Sequence, residues 1–266
     1  MWDPAVYGRF GDERSRPFFE LVARIPAERP RQVVDLGCGP GTLTATLAAR
    51  WPDALVRGID SSAEMIESAR ALGAPVDFAL GDLRDFVPSP GVDVIVSNAA
   101  LQWVPGHEAL LARWVGALAA GGWLAFQVPG NFSSPAHDAV YELAAAPRWK
   151  ETLAGEARRM AVPAAAEYAT ALTAAGCAVD AWETSYVHLL PGNTADHPVL
   201  GWLEGTALRP IRAAFGTDEA GWAGYRAELG ERLAEAYPIR HDRAFFPFRR
   251  IFVVAQLRRR AEGALA

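Results

Sequence analysis

The sequence predicts an α/β fold, a largely parallel sheet covered by helices on both faces, with a helical cap near its C-terminal end. Three observations predict it. From about residue 32, short apolar runs alternate with longer stretches that carry apolar residues at helical spacing. The first run, Val33 to Leu36, passes directly into Gly37-Cys38-Gly39-Pro40-Gly41 and then into a helical pattern. Two late segments rich in β-branched and aromatic residues are separated by about 55 residues of helical character.

Taken in order, Gln32 to Leu36, Ala54 to Ile59, Val76 to Leu80, Val92 to Ser97 and Trp123 to Val128 read as strands. Each is short, apolar or β-branched, and closed by Gly, Asp, Asn or Pro. Between them, Gly41 to Trp51 and Ser62 to Leu72 read as helices, with Ser61 or Ser62 placed to cap the second. Past Pro129, Asn131 to Ala174 is mainly helical, and Ala178 to Leu190 and Phe246 to Leu257 are the late strands. Residues 191–245 then form a helical cap inserted between the last two strands; an insertion of that length commonly carries specificity. Residues 1–31 read as an N-terminal helical lid whose Trp2, Tyr7 and Phe10 either close over the cofactor or pack an N-terminal helix, and the whole span 1–266 reads as one domain.

Charge and cysteine content bound the function. The 266 residues are 51% hydrophobic and 21% charged, and 26 cations against 31 anions leave −5. A backbone-phosphate binder needs a concentrated basic face, so nucleic acid is an unsuitable partner. Cys38 and Cys177 are too few for a disulfide framework, and no run approaches the roughly 20 apolar residues of a membrane span. With no basic leader before an apolar segment, the expectation is a cytoplasmic protein, monomer or weak homo-oligomer, that acts on a small molecule away from membranes.

The glycine loop points to a nucleotide-like ligand. Glycines permit a tight turn and close approach of a ligand, and the following helix offers unpaired N–H groups. Asp60 lies 19 residues past Gly41, at the end of the second strand, where a carboxylate can accept from both hydroxyls of a ribose. Asp82, after Gly81 at the end of the third strand, is placed for the exocyclic amine of an adenine. Loop, acid and acid therefore succeed one another along one edge of the sheet.

Asp-Leu-Gly-Cys-Gly-Pro-Gly (35 to 41), Gly-Ile-Asp-Ser (58 to 61), Gly-Asp-Leu (81 to 83) and Asp-Val-Ile-Val-Ser-Asn (93 to 98) resemble the class I S-adenosylmethionine-dependent methyltransferases. That resemblance implies a Rossmann-like sheet of seven strands in the order 3-2-1-4-5-7-6, with strand seven antiparallel. It implies S-adenosylmethionine as cofactor, bound by Asp35, Gly37, Cys38, Gly39, Gly41, Asp60, Ser61, Met65, Asp82, Leu83, Asn98, Ala99 and Trp103, with no metal. The competing readings are an NAD-dependent oxidoreductase and a protein that holds the cofactor without transferring methyl. Asp35, Asp82 and the Gly-x-Gly-x-Gly form of the loop argue against the oxidoreductase.

The fourth strand ends in Ser97-Asn98-Ala99-Ala100-Leu101-Gln102-Trp103 rather than in the Asn-Pro-Pro-Tyr typical of amine methylation in that family. Further motifs spread over nearly the whole chain, including Trp182 to His188, Gly205 to Pro210 and Arg250 to Ala255, resemble the branch that esterifies trans-aconitate. The implied reaction yields a monomethyl ester and S-adenosylhomocysteine, with another small polycarboxylate as the alternative acceptor. The implied acceptor contacts are Gln102, Trp103, Tyr186, His188, Trp202, Arg209 and Arg250. A carboxylate is already ionised at neutral pH, so no catalytic acid or base is expected. A polyanion needs fixed cations, and the planar guanidinium matches a carboxylate in two-point fashion. Arg249 and Arg250 must point to opposite faces of their strand, and the resemblance selects Arg250.

Overall fold

The computed structural model describes residues 11–258 apart from 154, 157 and 158, without the side chains of 11–14. Trp2, Tyr7 and Phe10, and with them the lid contact expected of them, lie outside the described residues. In chain order the elements are α1 (Gly11–Ala23), β1 (Gln32–Leu36), α2 (Thr42–Arg50), β2 (Leu55–Asp60), α3 (Ala63–Ala71), β3 (Asp77–Leu80) and β4 (Val92–Asn98). A short 3-10 turn (Leu101–Trp103) precedes α4 (Glu108–Ala117), β5 (Leu118–Pro129), α5 (Pro135–Ala144), α6 (Ala165–Ala174) and β6 (Cys177–Pro191). Then come α7 (Pro198–Glu204), α8 (Leu208–Phe215), α9 (Glu219–Ala236) and β7 (Arg243–Leu257).

The strands form one sheet in the order β3-β2-β1-β4-β5-β7-β6. β1 to β5 are parallel neighbours and β7 runs antiparallel to β5, as the resemblance implied. Strands covered on both faces need apolar residues at successive positions, not alternate ones. Val33, Val34 and Leu36 of β1, Val94 to Val96 of β4, Leu124 to Phe126 of β5 and Ile251 to Ala255 of β7 are all buried. Each such Val, Leu, Ile or Phe side chain contributes about 1.5–3 kcal/mol on leaving water, which stabilises the central strands beneath the loops.

β5 begins five residues before the expected Trp123, in Leu118-Ala119-Ala120-Gly121-Gly122. Its small residues carry no strand signature, and Gly121 adopts φ 84°. A Cβ on Gly122 would fall 2.9 Å from the Ala119 carbonyl oxygen and 3.1 Å from that of Val92. The register with β4 shifts at this point, and the close backbone approach requires glycine there.

The chain divides into two compact units. Among the described residues, the first takes those up to Pro129, Val162–Thr184 and those from Arg250; the second takes those of Gly130–Ala161 and Ser185–Arg249. The expected cap, 191–245, is therefore too narrow, and the single domain 1–266 resolves into two units. The physical reason is packing of α9 on a helix far upstream. Tyr225 donates its hydroxyl to the Val140 carbonyl at 3.1 Å, Trp149 Nε1 donates to Glu228 at 3.0 Å, and Arg148 pairs with Glu228. Asp218 caps α9 by accepting from Gly221 N at 2.9 Å, and Tyr225, Leu229 and Leu233 fill the unit's interior.

Candidate active site

β1 turns sharply because Gly37 N and Cys38 N both donate to the Ile59 carbonyl, at 2.8 and 3.0 Å. Gly37 sits at φ 82°, and a Cβ there would fall 2.2 Å from the Cβ of Ala100. The loops after β1 and β4 thus touch at a point only glycine allows. Around Gly39 a Cβ would meet nothing within 4 Å, so the middle of the loop faces open space. α2 starts behind it with Gly41 as its cap and no side chain satisfying its first N–H groups.

Of the acids expected at the strand ends, Asp60 is held by backbone and Asp82 by backbone and a guanidinium. Asp60 Oδ2 accepts from Gly39 N and Oδ1 from Ser62 N, both at 2.9 Å. Each oxygen keeps a second lone pair for another donor. Ser62, not Ser61, caps α3, accepting from Met65 N at 3.3 Å. Asp82 accepts from Arg84 N at 2.8 Å and from its guanidinium through Nε and Nη2. Those Arg84 hydrogen bonds hold the Asp82 carboxyl below the usual range.

Asp35 differs in being buried within β1, where the Thr44 hydroxyl donates to Oδ2 at 2.6 Å. Burial pushes its carboxyl up to about 7, against the lowering effect of Thr44 and with a smaller push from the charge of Asp60. Burial likewise raises the Cys38 thiol, so Cys38 is neutral packing beside the loop. The Asp35 shift has a stability consequence. The folded-state value lies above that of an unfolded aspartate, so between about pH 4 and 7 the folded chain holds a proton that the unfolded chain has lost. Stability is thereby lost as pH rises through this window, by up to about 1.4 kcal/mol per pH unit. Asp35→Asn keeps an acceptor for Thr44 and removes the titration. Its advantage over the unsubstituted protein in thermal midpoint is expected to be larger at pH 8 than at pH 5; an equal difference at both would contradict the buried-carboxylate account.

The end of β4 carries the second half of the site. Ser97 donates to the Leu36 carbonyl at 2.7 Å, tying β4 to β1. Ala99 adopts φ 53°, unusual without glycine, and its N–H donates to the Gln127 carbonyl at 2.9 Å. Gln102 Nε2 donates to the Ala99 carbonyl at 2.5 Å, while its Oε1 is buried with no hydrogen-bond partner among the described residues. Trp103 lies on the 3-10 turn and is 42% exposed, so it is a surface of the loop and not a core aromatic. Behind this loop Gln127 is fully buried; Arg250 Nη1 donates to its Oε1 at 2.8 Å, and its Nε2 donates to Asn98 Oδ1 at 3.3 Å. Arg250 is itself only 3% exposed. Arg249 turns to the other face and donates to the Gly130 carbonyl at 3.2 Å, as strand alternation requires.

Of the other expected cofactor contacts, Met65 and Leu83 are buried and Ser61 is exposed. Tyr186, His188 and Trp202 come together inside the second unit. The His188 ring stacks on Trp202 at 4.5 Å between centroids, with Phe248 at 5.7 Å and Tyr186 at 6.4 Å. Arg209, in α8, is half-buried in that unit. Thr44, Gln127 and Asn131 were not singled out from sequence. Gln127 had a signal, a polar residue inside the apolar run Trp123 to Val128. Asn131 is buried with both amide atoms lacking partners among the described residues. Among those residues no cluster of His, Cys, Asp or Glu could hold a metal, and no helix is long and apolar enough to cross a membrane.

A family model described as a methyltransferase domain matches residues 33–122. A trans-aconitate 2-methyltransferase of Mycobacterium sp. (strain KMS) is 55% identical, covering 96% of this chain and 99% of its own. The trans-aconitate 2-methyltransferase of Mycobacterium tuberculosis (strain ATCC 25177 / H37Ra) is 50% identical with 97% of both chains covered. Among solved structures, geranyl diphosphate C-methyltransferase from Streptomyces coelicolor A3(2), in complex with S-adenosyl-L-homocysteine, aligns with a TM-score of 0.52. It is 16% identical and covers 95% of this chain and 82% of that one, a likeness of fold.

Proposed function

Because the chain belongs to the trans-aconitate 2-methyltransferases, within the class I methyltransferases, we infer that it esterifies a carboxylate of trans-aconitate with the methyl group of S-adenosylmethionine. The products are a monomethyl ester and S-adenosylhomocysteine. The observation that carries this is identity at 50–55% over nearly the full length, so that it includes the second unit as well as the nucleotide-binding half. A shared methyltransferase domain over residues 33–122 alone would leave the acceptor open.

The residues at the strand ends fit the cofactor. When bound, it supplies an electrophilic methyl carbon; the acceptor oxygen forms the new C–O bond and the electron pair of the broken C–S bond stays on sulfur. Asp60, with a lone pair to spare on each oxygen, takes the ribose hydroxyls. Asp35 faces the cationic amino group, whose charge favours the ionised carboxylate that burial disfavours. Asp82 takes the adenine amine, sharing its carboxylate with Arg84. The open space at Gly39 admits the ligand against backbone N–H groups.

The acceptor side needs cations and order more than proton transfer. A carboxylate with a pKa roughly three units below neutrality needs no base to attack. Rate then comes from aligning oxygen, carbon and sulfur while excluding water. To the acceptor we assign, on the resemblance, Arg250, Gln102 and Trp103 of the first unit and Arg209, Tyr186, His188 and Trp202 of the second, the arginines for its charge. The −5 balance suits an enzyme for a small anion that relies on a few placed arginines, not a nucleic-acid binder. The test is methyl transfer from labelled S-adenosylmethionine to trans-aconitate beside cis-aconitate, isocitrate and citrate. trans-Aconitate is expected to give the highest kcat/KM; preference for another member would move the acceptor assignment to that acid.

A further inference from the structure

We propose that Asn131 is a further acceptor-binding residue whose side-chain amide donates to a carboxylate of the bound acid; the proposal deepens the carboxylate-acceptor reading above and rests on it. Asn131 is only 4% exposed, yet neither its Nδ2 nor its Oδ1 has a hydrogen-bond partner among the described residues. A buried amide without partners is unfavourable, and the cost is recovered when a ligand supplies them.

The turn around Asn131 gives its side chain no local use. Asparagine in a turn ordinarily spends its side chain on a backbone N–H two or three residues on. Here the Ser134 N–H donates to the Asn131 backbone carbonyl at 2.9 Å, and α5 then starts at Pro135, which has no N–H to satisfy. On the other side, Gly130 N donates to the Arg249 carbonyl at 2.9 Å, and Arg249 Nη1 donates to the Gly130 carbonyl at 3.2 Å. Ala136 N donates to the Tyr237 hydroxyl at 3.1 Å. The backbone is tied before and after Asn131, so the amide is held inside the unit with its hydrogen-bonding capacity unspent.

Position and chemistry select the ligand. Along the sheet, the groups assigned to adenine, ribose and the methionine end stand at β3, β2 and β1, and the transfer loop follows β4. β5 comes next, and Asn131 is two residues past its last residue, Pro129. It belongs to the second unit, with Tyr186, His188, Trp202 and Arg209, and not to the unit that holds the glycine loop, Asp60 and Asp82. A carboxylate can only accept, and the Asn131 amide offers it two N–H donors from Nδ2.

The test is Asn131→Leu beside Asn131→Asp, read by KM for trans-aconitate, S-adenosylhomocysteine affinity and the thermal midpoint of the unliganded protein. Both replacements keep the branching of asparagine. Leucine removes the donors, and aspartate removes them and adds a negative charge. Asn131→Leu should raise KM about ten- to a hundredfold, the scale of one hydrogen bond to a charged group, and Asn131→Asp should raise it further by repelling the acid. S-adenosylhomocysteine affinity should stay within about twofold in both. The midpoint of Asn131→Leu should not fall, because the unliganded chain loses no hydrogen bond. An unchanged KM in Asn131→Leu overturns the proposal, as does a KM for Asn131→Asp at or below that of Asn131→Leu. A lowered midpoint in Asn131→Leu, or a matching loss of S-adenosylhomocysteine affinity, overturns it too, since the amide would then serve the fold or the cofactor. If the unsubstituted enzyme forms no ester from any polycarboxylate, the functional reading has failed, an outcome distinct from all of these.

Discussion

Asp60→Ala is expected to remove measurable binding of S-adenosylmethionine and S-adenosylhomocysteine while leaving the sheet folded. Asp60 is the last residue of β2, and its carboxylate already bridges two backbone N–H groups, those of Gly39 and Ser62. The substitution deletes the group assigned to the ribose and frees the glycine loop from the helix start that anchors it. Hydrogen bonds to a charged group are worth about 1.5–3 kcal/mol each, so losing two corresponds to roughly a hundred- to ten-thousandfold in affinity. The fold should survive because the residue is polar and only partly buried, at the rim of the platform and outside its core. Calorimetric titration with S-adenosylhomocysteine, beside a thermal melt of the unliganded protein, checks both halves. Unchanged affinity would remove Asp60 from the ribose role.

Arg250→Met carries the second large effect, expected in KM for the acceptor and not in cofactor affinity. Most arginines whose ion pairs are described are surface groups. Arg16, Arg24, Arg57, Arg84, Arg148 and Arg159 pair with carboxylates while more than half exposed, and such pairs contribute about 0–1 kcal/mol. Arg250 lies 3% exposed in β7, where its Nη1 donates to the Gln127 amide oxygen. Methionine fills a similar volume without the charge. Removing a two-point guanidinium–carboxylate interaction from so buried a setting should raise KM for trans-aconitate by about a hundredfold or more, with S-adenosylhomocysteine affinity within about twofold. Arg209→Ala is expected to act in the same direction. A normal KM in both variants would contradict the carboxylate-binding role of these arginines.

The parts legible in the sequence were those that chemistry restricts to few residue types. Three glycines after an apolar run, an acid closing the next strand and another just past the third left little room for a different edge, and Asp60 stands at the end of β2 with the Gly39 N–H of the loop donating to it. The order of the strands came from the resemblance and is the order observed. The start of β5 was hidden because Ala119 to Gly122 have no strand preference, and the strand forms there through pairing with β4. The breadth of the second unit was hidden for a different reason. Periodicity describes a helix face, not its partner, and nothing local in Pro135 to Ala144 says that Tyr225 will bond to Val140. The Asp82–Arg84 pair was readable as a spacing of two but not as a geometry. Gln127 was readable as an anomaly, a polar residue in a buried strand, but its partners Arg250 and Asn98 were not.

The measurement that bears most directly on the account is the fate of the methyl group. Incubation of the full chain with methyl-labelled S-adenosylmethionine and trans-aconitate should transfer label to a single carboxylate. The product should be a monomethyl ester cleaved by mild alkali, with one S-adenosylhomocysteine formed per ester. Saturating kcat should change little with pH above the carboxylate range, since no base is used. Label on carbon or nitrogen, or none transferred to any polycarboxylate, would contradict the account.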